Sequence, residues 1–169
     1  MGTGNCRGDV VDKGVLIRPD VLGQLPVFAT SLSIEGIPRG QYLHVNRLTP
    51  PLKILRIANC QGIVRLDHFT FGAPGEVKDC AHVELAEASS NVTTSHWLVE
   101  RSYVQLSLLR IRGSRQALAA TIRDSTVVMI DARFLGSSGR MDNQCQVTLQ
   151  PMSAIHATNS RFVLAGDSW

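Results

Sequence analysis

No stretch of the chain approaches the ~18 consecutive apolar residues that a membrane-spanning helix needs. The opening MGTGNCRGDVVDKGVLIRPD holds no continuous apolar core, so no secretory signal is legible. Met1-Gly2 is followed by Cys6 where N-myristoylation wants Ser or Thr. Cysteine is sparse and scattered: Cys6, Cys60, Cys80 and Cys145 form no close-spaced pair, which excludes zinc ribbons and CxxC redox motifs. His44, His68, His82, His96 and His156 are equally dispersed, so no metal site and no cofactor is expected. Blocks of one charge are missing too. The formal charge is only +3 and the arginines are spread out, so no nucleic-acid partner is expected. Apolar spacing of three and four is not sustained, which argues against helices. The hairpin turn dipeptides Asn-Gly, Asp-Gly and Gly-Gly are absent as well, which argues against a sandwich of antiparallel strands.

What is present is a folded composition, 44% hydrophobic and 18% charged, over 169 residues, enough for one domain with a sizeable core. It carries an internal repeat. A four-residue marker, apolar–any–Asn/Asp/Arg–Ser/Cys, occurs as Ile57-Ala58-Asn59-Cys60, Val77-Lys78-Asp79-Cys80, Val99-Glu100-Arg101-Ser102 and Ile122-Arg123-Asp124-Ser125, at intervals of 20, 22 and 23 residues. A further copy, Ala157-Thr158-Asn159-Ser160, follows after 35, and the loop GSSGRMDNQC at 136–145 can supply the excess. Each marker is followed by a short period-two strand signal: Val104/Leu106, Val127/Met129, Phe162/Leu164, Val83/Leu85 after one extra residue, and a weaker Gly62/Val64/Leu66 after Cys60. Upstream, Leu32/Ile34 and Leu55/Ile57 are 23 apart, and Leu43/Val45 precede Val64/Leu66 by 21.

Short strands rich in Val, Ile, Thr and Ser at such a period predict a parallel solenoid, in which equivalent residues of successive coils stack. The marker then sits at a corner between strands. Its Asn or Asp suits the tight backbone, and its small Ser or Cys can turn inward and bond a neighbouring backbone group. One unit, Leu52-x-x-Leu55-x-Ile57-x-x-Cys60, also fits a leucine-rich repeat, but it does not recur at Cys80, Ser102 or Ser125, and no helical segments fill the intervals.

The stacked pattern over residues 30–166 resembles the right-handed parallel β-helix of the pectate-lyase-like superfamily, above all its degenerate, serine-marked bacterial members of unassigned activity. The resemblance implies an all-β, right-handed parallel β-helix with coils of about 20–23 residues. Residues 1–47, with Pro19, Pro26 and Pro38, are expected to form an irregular first coil or cap. Residues 48–169 are expected to form the coils, in one continuous domain with the first segment, with Pro50-Pro51 in a corner. Because LAGDSW closes the sequence directly after a strand, the chain is expected to be a fragment of a longer solenoid, or to have its end covered by a partner. A longer precursor would place it outside the cell or on its surface.

The resemblance does not carry an active site with it. Calcium-dependent lyases of the superfamily need clustered outward carboxylates and a base, whereas the outward positions expected here are Glu84, Gln105, Val128 and Thr148. The paired aspartates and Gly-His-Gly of polygalacturonases are missing too. The catalytic candidates are Arg65, Asp67 and His68 in VRLDHF. The binding candidates are Arg110, Asp131 and Arg133, against the plainer reading of a solvated ladder of surface ion pairs, with Tyr103 and Trp97 as sugar-stacking aromatics if they are exposed as a pair and packing residues otherwise. Counting back from Gly72 and Gly136 aligns Asp67 with Asp131, and counting back from Gly113 and Gly136 aligns Arg110 with Arg133. Arg7-Gly8-Asp9 and the sequon Asn91-Val92-Thr93 are too common to decide anything. Gln105-Leu106-Ser107 lacks the arginine of the Gln-x-Arg element in cofactor-C-type tubulin-binding domains. The expected function is therefore a non-catalytic solenoid offering a structural or binding surface, with polysaccharide or another solenoid segment or chain as partner and a tendency to end-to-end self-association. The alternative is a polysaccharide lyase or glycoside hydrolase acting at the Arg65/Asp67/His68 corner or outside this segment.

Overall fold

The computed structural model describes residues 14–17, 31–71, 75–90, 97–112, 120–135, 140–141, 147–148 and 155–168. All its regular elements are strands, and the chain winds as a parallel β-solenoid. One face is a seven-stranded sheet: β1 (Gly14–Ile17), β2 (Ser31–Glu35), β4 (Ile54–Ala58), β6 (Gly75–Lys78), β8 (Trp97–Glu100), β11 (Ala120–Arg123) and β16 (Ile155–Thr158), in that order. The second sheet holds β3 (Tyr42–Leu52), β5 (Ile63–Phe71), β7 (His82–Ser90), β9 (Tyr103–Ser107), β12 (Thr126–Ile130) and β17 (Arg161–Ala165). The long strands β3, β5 and β7 bend midway, and β10 (Arg110–Arg112) and β13 (Arg133–Leu135) continue the bent part as a third face. The intervals that a leucine-rich repeat would fill with helix hold these strands instead.

The repeat read from the sequence is the stacking repeat. Val83, Val104 and Val127 are in register in consecutive coils and fully buried, and Leu85, Leu106 and Met129 stack beside them. Leu32/Ile34 align with Leu55/Ile57, and Leu43/Val45 with Val64/Leu66. The 35-residue interval is one enlarged coil: β11 pairs directly with β16, and the span between them includes a small antiparallel pair, β14 (Arg140–Met141) with β15 (Val147–Thr148).

Two rows of left-handed backbone turn the corners. Gly36, Asn59, Asp79, Arg101, Asp124 and Asn159 form one row; Arg47, His68, Glu87, Leu108, Asp131 and Gly166 form the other, all with positive φ. At the first row the N–H groups up to Asp124 each reach a carbonyl of the next coil: Gly36 to Ala58 (3.2 Å), Asn59 to Lys78 (3.0 Å), Asp79 to Glu100 (3.0 Å), Arg101 to Arg123 (3.0 Å), Asp124 to Thr158 (3.1 Å). The marker follows at once, inward and buried at Cys60, Cys80, Ser102 and Ser125 and half-buried at Ser160. Its hydroxyl does two things. Ser102 Oγ donates to Glu100 O at 2.7 Å and accepts the Cys80 N–H at 3.0 Å; Ser125 Oγ donates to Arg123 O at 2.6 Å and accepts the Ser102 N–H at 3.1 Å. Ser160 repeats this towards the Ser125 N–H at 3.3 Å.

Packing along the axis alternates large with small. Trp97 is 1% exposed, with Gly75 before it and Ala120 after it in the same inward column. A Cβ on Gly75 would lie 2.7 Å from the indole, so this glycine exists to admit Trp97.

Two outcomes test the corners. Ser102→Ala strands the buried Cys80 N–H and should cost about 1–3 kcal/mol in urea denaturation; an unchanged midpoint would show that the ladder carries no stability. Leu108 holds a left-handed conformation (φ 51°) with its side chain 57% exposed, so it has strain and little burial to lose. Leu108→Asn should stabilise by about 1 kcal/mol, and destabilisation would refute that account of the second corner.

Candidate functional site

Inward positions of a solenoid are committed to the core, so chemistry is confined to outward columns and corners. On the second face three outward columns run along the axis. The first holds Tyr42, Ile63, His82, Tyr103 and Thr126; the second His44, Arg65, Glu84, Gln105 and Val128; the third Asn46, Asp67, Ala86, Ser107 and Ile130.

Across β3, β5, β7 and β9 these side chains form one continuous network. His44 Nε2 lies 2.7 Å from Asp67 Oδ2. Arg65 Nε donates to both Asp67 oxygens, at 3.1 and 3.0 Å, and its Nη1 donates to Glu84 at 3.4 Å. Glu84 Oε1 is 3.0 Å from His82 Nε2, and the His82 ring packs on Tyr103 with centroids 4.9 Å apart. Asp67 is only 6% exposed, an unusual burial for a carboxylate, and the arginine and histidine beside it offset the desolvation. The hydrogen bond to Asp67, reinforced by the charges of Asp67 and Glu84, holds the Arg65 guanidinium more firmly protonated than usual despite desolvation. It is a poor base.

The structure thus unites Arg65 with Asp67, as the sequence proposed, but not with His68. His68 is the corner residue after Asp67 and turns away to pair with Glu87 at 2.7 Å. His44, from the preceding coil, takes its place. Asp131 is not the equivalent of Asp67: register places Ile130 in the Asp67 column and Asp131 in the corner row of His68. The backbone ladder and corner set register, and counting from loop glycines missed it by one residue. Arg110 and Arg133 are register partners as expected, with side chains outside the described ones. Trp97 is a core residue and has no face to offer a ligand, whereas Tyr103 points outward and is half-buried. Thr148 belongs to the antiparallel pair, and the outward neighbour of Val128 is Val163.

Elsewhere the outer surface carries charge ladders. Arg56 lies between Glu35 (3.6 Å) and Glu76 (3.5 Å), and Arg101 binds both oxygens of Asp79 at 2.6 and 3.0 Å, holding that carboxyl below its usual range. Exposed pairs of this kind contribute little each. A shallow polar depression of about 490 Å³ is lined by Asp124, Ser125, Thr126, Asn159, Ser160 and Arg161. Among the described residues no cluster of three or more His, Cys, Asp or Glu is placed to hold a metal, and no helix is long and apolar enough to cross a membrane. No protein-family model matches the chain, and no curated protein or solved structure shows significant similarity to it. Its class, a parallel β-solenoid, is defined by its own ladders.

The marker column also holds the described thiols. Cys60 and Cys80 are free, buried and donate to Ala58 O (3.2 Å) and Lys78 O (3.1 Å). The hydrogen bond to Cys60 and burial push the Cys80 thiol far above its ordinary range. The hydrogen bond with Cys80 lowers the pKa of the Cys60 thiol to about 7, but both sulfurs are shut away from solvent, so both should remain reduced in mass spectra of unreduced protein and resist alkylation until the chain unfolds. A Cys60–Cys80 bridge, or rapid alkylation of the native protein, would contradict this.

Proposed function

We propose that the chain is a non-catalytic β-solenoid module that binds carbohydrate along its second face. The observation that carries this reading is the in-register outward column Tyr42–Ile63–His82–Tyr103 beside the His44–Asp67–Arg65–Glu84 network. Tyr42 is 50% and Ile63 38% exposed, so the column offers ring and apolar surface to a ligand. Strands ~4.8 Å apart place its four members over roughly 14 Å, a span suited to a few sugar residues lying along the axis. The neighbouring network supplies hydrogen-bonding groups already fixed by one another, so little ordering cost falls on binding.

The same network speaks against the enzymatic alternative, a lyase or hydrolase of the pectate-lyase-like superfamily. Asp67 is engaged by two partners, Glu84 by two, and Arg65 is held protonated. A general base or nucleophile needs a group free to exchange a proton or attack. Here each acidic group is tied into the surface it stabilises.

The test is titration against a panel of acidic and neutral polysaccharides, with and without calcium, scored for both binding and cleavage. Binding without cleavage is expected, and Tyr42→Ala and Tyr103→Ala should each weaken it about tenfold, the loss of roughly 1.4 kcal/mol of contact, with unfolding midpoints little changed. Absence of binding across the panel would overturn the reading. Cleavage abolished by Asp67→Ala would establish the enzyme instead.

A further inference from the structure

Charge is spread unevenly around the solenoid. On the first two faces and at the first corner, arginines meet acids of the neighbouring coils: Arg56 with Glu35 and Glu76, Arg65 with Glu84, Arg101 with Asp79. The third face departs from this. Past the second corner Phe69, Ala88, Leu109 and Ala132 are buried, so strand alternation puts Thr70, Ser89, Arg110 and Arg133 on the outer face. Register stacks these four in one column, Thr70 by Ser89, Ser89 by Arg110, Arg110 by Arg133. Arg112, two residues along β10, falls on the same face, with Leu135 as its register partner. Three arginines thus occupy adjoining positions, ~4.8 Å apart between strands and roughly 6.6 Å apart along one. Like charges set side by side in a sheet repel. The sequence deepens the imbalance: the stretches that follow the second corner, 69–74, 88–96, 109–119 and 132–141, hold Arg110, Arg112, Arg115, Arg133 and Arg140 and no Asp or Glu. The corner carboxylates just before them are engaged, Glu87 with His68 at 2.7 Å and Asp131 with the Asp167 N–H at 2.8 Å. The coil after supplies one acid, Asp167, directly past its corner Gly166.

We propose that the third face is an anion-binding site whose ligand is a polysaccharide bearing sulfate or carboxylate groups. An anion held between Arg110, Arg112 and Arg133 removes their mutual repulsion, which neutral ligands leave in place. Guanidinium groups suit the task, because their fixed fork of donors matches the oxygens of a sulfate or carboxylate. Thr70 and Ser89 extend the same column with hydroxyls, which exchange hydrogen bonds with a sugar at no cost in charge. A single-stranded nucleic acid would ask for aromatic side chains to stack its bases. The outer positions of this face, Thr70, Ser89, Arg110, Arg112, Arg133 and Leu135, include none. This site lies on another face from the tyrosine column and does not depend on it.

The experiment is titration of the full chain with dextran sulfate, carboxymethyl dextran and uncharged dextran of matched length, at low salt and at about 0.5 M. At least one charged polymer should bind, more weakly as salt rises, and the tighter of the two identifies the anionic group. Arg110→Gln combined with Arg133→Gln should weaken that binding about tenfold or more and leave any dextran binding as it was, so this site and the second face are scored separately. Arg56→Gln, which removes an arginine set between two acids on the first face, should not weaken it. Arg110→Gln alone should keep or raise the urea midpoint, because it parts like charges. Four results overturn the proposal. They are charged polymers bound no better than dextran, Arg56→Gln as costly as the arginine pair, a clear loss of stability in Arg110→Gln, and single-stranded DNA bound more tightly than either charged polymer. The last would make the partner a nucleic acid.

Discussion

The structure depends on one arrangement at one corner: a residue in left-handed conformation followed by a hydroxyl that donates within its own coil and accepts from the coil before. A solenoid must reverse strand direction several times per coil without leaving buried backbone groups unpaired. At the first corner the left-handed residue's N–H is taken by the next coil's carbonyl, and the N–H after it by the next coil's marker hydroxyl. Serine serves because it is small enough to lie under the corner and can donate and accept at once. Cys60 and Cys80 keep the donation to their own coil through Sγ, at 3.2 and 3.1 Å, and sulfur accepts only weakly. Where the repeat runs best, from Cys80 to Ser160, the acceptors are oxygen.

With the corners fixed, register is fixed, and the outer residues of each coil are displayed at constant spacing. That is why a network can grow on the second face from residues far apart in sequence: His44 and Asp67 are 23 apart, Arg65 and Glu84 are 19 apart, yet each pair is in contact. The buried carboxylate of Asp67 is tolerable only because the preceding coil provides His44 and its own coil provides Arg65. The scaffold therefore does for this face what a second layer of supporting residues does for a pocket. It fixes hydrogen-bonding groups in advance of any ligand.

How much of this was legible in the sequence follows from what repeats. The marker and the alternating apolar pairs recur because they answer to the same backbone constraint in each coil, so fold and inner register could be read directly. The second corner could not. Its left-handed residues are Arg47, His68, Glu87, Leu108 and Asp131, with no shared chemistry, because their conformation is imposed by strands on both sides and not by a side-chain bond. Missing that corner is what misaligned Asp67 with Asp131. His44 was within reach, since aligning Leu43/Val45 with Val64/Leu66 already sets His44 beside Arg65. Trp97 stood between core packing and sugar stacking, with packing favoured; its burial is decided by the glycine and alanine that stack on either side.

The change in character along the second face has a physical consequence for how the molecule presents itself. Its first coils carry charged and aromatic side chains of which His44, Asp67, Arg65, Glu84 and His82 pair with one another; its last described coils carry Val128, Ile130 and Val163 outward. Water solvates the first at little cost and the second poorly. In a scaffold whose backbone ladder is indifferent to what points outward, such a gradient is not required by the fold: polar residues at Val128, Ile130 and Val163 would fit the same ladder. The last strand has its single charge at Arg161, at one end, and leaves the centre apolar on both sides. The surface whose charged groups pair with one another and the one that exposes apolar side chains are parts of one sheet, laid out in sequence along a single axis.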